Sequence, residues 1–83
     1  MTEKDLKDLG FKKIKVSAEE SGDKPYHFYE YEFKNADYFT MLSCDSDTVK
    51  SKDDWTVEIF ECGFKPIIKK SRCRAIIKIL GSL

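Results

Sequence analysis

The sequence predicts an α+β domain: an antiparallel sheet of four to five strands, with a short N-terminal helix and a C-terminal amphipathic helix packed on one face. Three observations predict it. Residues 26–33, Tyr-His-Phe-Tyr-Glu-Tyr-Glu-Phe, hold five of the eleven aromatic residues and alternate as a strand does. Other stretches of period two lie before and after them, while helical spacing of apolar residues is confined to the two ends of the chain. Eighty-three residues, 41% of them hydrophobic, make a single domain over residues 1–83, with room for one sheet and one or two helices.

Thr2-Glu3-Lys4-Asp5 supplies an N-cap and acids for a first helical turn, where the helix dipole favours negative charge. Leu6 and Leu9 give that helix an apolar edge and Gly10 stops it. From Phe11 to Ser17, Ile14 and Val16 alternate with Lys13 and Lys15, as expected of an edge strand with one wet face. Ala18 to Pro25 is a polar, turn-forming connection. In the aromatic strand, His27, Tyr29, Tyr31 and Phe33 form the buried set, and Tyr26, Phe28, Glu30 and Glu32 the half-wet set.

Asn35-Ala36-Asp37 is a hairpin signal leading into a strand from Tyr38 to Cys44, which carries apolar groups on both faces and is therefore placed centrally in the sheet. Asp45 to Asp54 reads as a loop. Trp55 to Cys62 alternates Trp55, Val57 and Ile59 against Thr56, Glu58 and Phe60, a further strand. Gly63 to Pro66 turns the chain, and Ile67 and Ile68 add a brief fifth strand. Ser71 is placed as the cap of a final helix whose Cys73, Ile76, Ile77 and Leu80 fall at i, i+3, i+4 and i+7, with Gly81 as its stop and Lys70, Arg74 and Lys78 on its outer face.

Charge is balanced overall but not along the chain. Residues 1–62 carry all fifteen acids against nine Lys and Arg, a balance of −6, whereas residues 63–83 carry six Lys and Arg and no acid. Such asymmetry points to a charged partner or to a tail that packs over the body. The three cysteines are widely spaced and are read as buried thiols. The N-terminal residues lack the basic start and apolar centre of a leader, and no long apolar run occurs, so the expected location is the cytosol, away from membranes.

The sequence carries no catalytic signature. Asp45, Asp47, Asp53 and Asp54 gather oxygens, but the run lacks the glycine and terminal Glu of a calcium loop, and a solvated loop is the simpler reading; no metal or cofactor is expected. His27 is the sole histidine and sits inside a strand, where a structural role fits better than a triad or a Cys-His nucleophile. Glu30 and Glu32 share a strand face, an arrangement that solubilises as readily as it catalyses. The four glycines stand singly, which excludes the phosphate-binding loops.

Two binding surfaces follow. Tyr26, Phe28, Glu30 and Glu32, with Asp45 and Asp47 of the acidic loop, could engage the basic groove of a protein target, aromatics packing and carboxylates steering. The alternative is nucleic acid held by Lys69, Lys70, Arg72, Arg74 and Lys78 of the C-terminal helix. On Leu-Lys-Asp-Leu-Gly-Phe at 6–11, the aromatic strand at 26–33, Leu-Ser-Cys-Asp-Ser-Asp at 42–47 and Asp-Trp-Thr-Val-Glu-Ile-Phe at 54–60, the chain resembles small proteins carried by bacterial phages and prophages. The group includes inhibitors of host defence, anti-CRISPR proteins among them. That resemblance implies a non-enzymatic, phage-type inhibitor that occupies a surface of a host nucleic-acid-handling protein in the host cytosol.

Overall fold

The first turn of the chain is fixed by reciprocal capping: the Asp5 amide donates to Thr2 Oγ1 (3.1 Å) and the Thr2 amide to Asp5 Oδ2 (3.0 Å). Helix α1, Glu3–Leu9, runs from this box to Gly10, which adopts φ +99°. The Phe11 amide then donates to the Leu6 carbonyl and the Gly10 amide to that of Lys7, each at 3.0 Å, so the last carbonyls are satisfied before the chain extends. The computed structural model describes residues 1–33, 40–59 and 65–82; the hairpin signal at 35–37, the start of the strand at Tyr38 and Phe39, and Phe60, Cys62 and Gly63 lie outside these residues.

The expected α+β class and sheet are present. Strands β1 (Lys12–Val16), β2 (Tyr26–Glu32), β3 (Thr40–Ser43) and β4 (Val57–Ile59) form one antiparallel sheet in the order β1-β2-β3-β4. The lysine-rich strand is at an edge and the aromatic strand inside, as their side chains predict. Ile67 adds an isolated bridge to Val57 through two hydrogen bonds of 2.7 and 3.0 Å in place of a fifth strand. The first strand's connection is not wholly irregular: α2, Ala18–Ser21, is one helical turn capped by Ser17 and closed by Gly22 at φ +75°.

The C-terminal helix α3, Lys70–Gly81, corrects three expectations. Its N-cap is Lys69, with no side-chain capping bond, and Ser71 lies within the helix. Gly81 is its last residue and Ser82 ends it in a right-handed conformation. Lys70 is not on the outer face: its Nζ reaches Asp8 Oδ2 at 3.2 Å and Asp5 Oδ1 at 3.6 Å, joining α3 to α1.

One face of the sheet meets both helices. Leu6, Tyr29, Met41, Val57 and Cys73 are fully buried there, with Phe11, Phe33, Trp55 and Ile67 around them and Leu9, Ile76, Ile77 and Leu80 packed against them. Burial pushes the Cys73 thiol up to about 11, which leaves it neutral and inert as expected of a core cysteine. Cys44 is only half-buried. The Met1 ammonium donates to the carbonyls of Asp53 (3.0 Å), Trp55 (3.1 Å) and Ile68 (3.2 Å), which draws the acidic loop and the 65–69 segment together at the base of α1.

Candidate partner-binding face

The period-two rule and the register together decide what the other face of the sheet displays. Ile14 pairs with Phe28, Val16 with Tyr26 and Lys12 with Glu30 across β1 and β2. Glu30 pairs with Leu42 and Leu42 with Glu58 across the remaining strands. These residues point away from the core, because their neighbours Tyr29, Met41 and Val57 point into it. Leu6 and Leu9 of α1 and Cys73, Ile76, Ile77 and Leu80 of α3 join the core on the first face. Ile14, Val16, Tyr26, Phe28 and Leu42 are left half-buried on the sheet surface opposite α1 and α3, where Glu20 of α2 borders Val16 and Tyr26.

The expected partner residues Tyr26, Phe28, Glu30 and Glu32 therefore share one face, and the register adds Ile14, Val16, Leu42 and Glu58, which sequence reasoning did not assign to it. Alternation within each strand carried half of that signal; the other half, which strand neighbours which at what offset, is a property of pairing and not of any single stretch. Asp45 and Asp47 come to the same region through Ser46. The Ser46 amide donates to the His27 carbonyl at 2.8 Å, and the His27 amide donates to Ser46 Oγ at 3.0 Å, which fixes the start of the acidic loop beside the first residues of β2. Glu30, Glu32 and Glu58 thus border an aromatic and aliphatic centre, and the acidic loop leaves the sheet beside the start of β2.

Glu30 and Glu32 interact directly. A hydrogen bond to Glu32, then burial, then the charge of Glu32 raise the Glu30 carboxyl above its ordinary value, and Lys12 opposes the shift. Two carboxylates held this close on a sheet surface are relieved by a cation placed between them, which a guanidinium supplies in two-pronged form.

His27 points to the core face and is structural in its contacts. Its Nε2 lies 2.6 Å from Glu3 Oε1, its ring stacks on Trp55 at 5.5 Å, and Tyr29 Oη donates to the same Glu3 oxygen at 3.0 Å. The hydrogen bond to the His27 ring, opposed by burial and aided in turn by the Tyr29 hydroxyl, holds the Glu3 carboxyl below the usual carboxylate range. Burial, then the Glu3 hydrogen bond and charge, push the Tyr29 phenol up to about 12. The three side chains clamp α1 to β2.

The basic residues of the alternative surface are divided. Lys70 is held by α1, while Lys69, Arg72, Arg74 and Lys78 are exposed. At 100° per residue, Arg72 and Arg74 lie about 160° apart around α3, with Lys78 on the Arg74 side, so the exposed cations form two flanks and not one stripe. Among the described residues no helix is long and apolar enough to cross a membrane. The chain matches no family model, no curated protein and no solved structure.

Proposed function

We propose that the protein is a non-catalytic inhibitor that binds a nucleic-acid-handling protein of the cell it acts in, covering that target's basic groove with the sheet face opposite α1 and α3. The observation that carries the reading is the composition of this face: half-buried Ile14, Tyr26, Phe28 and Leu42 bordered by Glu30, Glu32 and Glu58, with Lys12 opposite Glu30 and the loop of Asp45 and Asp47 starting beside the first residues of β2. Apolar side chains at the centre of a patch provide the desolvated anchor of a protein interface, and a charged rim sets orientation and on-rate. A groove that ordinarily receives phosphates presents Arg and Lys, the complement of this rim. The phage-type origin and the defence target follow the sequence resemblance, and the inhibitor acts in the host cytosol.

The test is a capture experiment with tagged protein, nuclease treatment, and wild type run beside Phe28→Ala and Glu32→Lys. A stoichiometric nucleic-acid-binding protein is expected with wild type, reduced at least tenfold by either variant, and its binding to nucleic acid should be competed away by the added inhibitor. Recovery of nucleic acid alone, lost at high salt and on replacing Lys69, Arg72 and Arg74 by Ala, would overturn the reading. That result would establish instead a small nucleic-acid-binding regulator working through α3.

A further inference from the structure

On the opposite side of the molecule, α3 and the segment 65–69 border an apolar groove of about 730 Å³. Half-buried Ile59, Ile76 and Leu80 line it, and Ile68 and Ile79, 63% and 64% exposed, stand at its opening. Its charged residues are Lys65, Lys69 and Arg72, and no acid is among the described residues that line it. The N-terminal amides of α3 at the same place have no side-chain cap, and the first helical turn holds no acid, so the dipole adds to the positive field.

Two apolar patches of opposite charge are therefore displayed on opposite sides of one sheet. Ile59, which lines the basic groove, is the cross-strand partner of the buried Met41 and so belongs to the helix-covered face. Leu42 and Phe28 belong to the other. Within one copy the two patches look away from each other and cannot meet; the intramolecular relief of the charge asymmetry goes through Lys70 with Asp5 and Asp8, which belong to neither patch. Net charge is zero, so no overall repulsion keeps copies apart.

We propose that the protein self-associates head to tail, the acidic sheet face of one copy seating on the basic groove of the next. The contact is heterologous, because each copy contributes a different patch and keeps one of each kind free. Assembly consequently grows with concentration and does not stop at a symmetric dimer. It also occupies the face assigned above to a protein target, so self-association and target binding exclude each other; the self-contact stands whether or not that target exists.

The test uses exposed charges, whose reversal leaves the core untouched. One variant carries Glu32→Lys with Glu58→Lys, the other Lys69→Glu with Arg72→Glu, and circular dichroism with cooperative unfolding verifies that both fold. In sedimentation velocity at ~0.01 M salt, where charges act over about 30 Å, wild type is expected to sediment faster as its concentration rises, and to return to monomer at ~1 M salt, where the range is about 3 Å. Each variant alone is expected to weaken association at least tenfold, since its altered patch no longer complements its unaltered one. An equimolar mixture of the two should associate again, through the unaltered groove of the first variant and the unaltered sheet face of the second. A wild type that remains monomeric at low salt, a discrete dimer that grows no further, or a mixture that fails to recover what the separate variants lost would each overturn the proposal.

Discussion

Ser43 is the buried polar residue among the described residues, 8% exposed, and its hydroxyl replaces a backbone acceptor. The Tyr29 amide donates to Ser43 Oγ at 2.7 Å, and Oγ donates in turn to the Cys44 carbonyl at 2.9 Å. Tyr29 itself is fully buried. Replacing Ser43 with Ala removes the acceptor and leaves the amide where water cannot reach it, a loss of about 1–3 kcal/mol. For a chain of this length total stability is roughly 4–12 kcal/mol, so the change is a large fraction of the whole. Thermal unfolding should fall by about 4–8 °C per kcal/mol lost. Ser46→Ala is the internal comparison: it removes the acceptor of the His27 amide at a half-buried site that water can enter, and should cost under about 1 kcal/mol. Urea unfolding of the two variants beside wild type decides the matter. Equal losses, or a Ser43→Ala loss below about 0.5 kcal/mol, would refute the view that this hydroxyl completes the hydrogen bonding of the β2 backbone.

Two further outcomes concern the clamp and the glycines that end α1 and α2. Because the folded-state pKa of Tyr29 is raised to about 12, its contribution is fully present below the ordinary tyrosine value near 10 and is lost as pH rises from there toward 12. The difference in unfolding free energy between wild type and Tyr29→Phe should shift by about 3 kcal/mol across that window, and a flat difference would show that the phenol is not held from water. Gly10→Ala places a Cβ at positive φ and 3.3 Å from Tyr31 Cε2, whereas Gly22→Ala meets nothing within 4 Å. Chemical denaturation should show a loss of about 1–2 kcal/mol for the first and a smaller one for the second, and the reverse order would contradict the geometry.

Much of the fold was legible because its signals are local. Gly10 after Leu6 and Leu9, the alternation through Tyr26–Phe33, and Cys73, Ile76, Ile77 and Leu80 at helical spacing each fix an element from its own residues. What was not legible depends on distance along the chain. Lys70 looks like an outward cation until Asp5 and Asp8, more than sixty residues earlier, are seen beside it. Ser71 is a better capping residue than Lys69, yet α3 starts one residue before it, because the entry of the chain is set by Ile67 on β4 and the Ile68 carbonyl on the Met1 ammonium. The candidate face was half legible for the same reason: β2 names its own four residues, while Ile14, Leu42 and Glu58 join them only through pairing with other strands.

The aromatic strand also bears on how the sheet finds its alignment. Aromatic residues occupy both faces of the 26–33 stretch, so the aromatics by themselves would accept the strand shifted by one position, with Tyr26 and Phe28 in the core in place of Tyr29 and Phe33. Such a shift would carry Glu30 and Glu32 into the same interior. The Glu30 carboxyl, whose affinity for a proton Glu32 already raises at the surface, would there face apolar side chains with its neighbour and no cation. The pair that borders the candidate binding face thus also bars the misaligned sheet, and removing both charges at once would loosen the chain's choice between two cores.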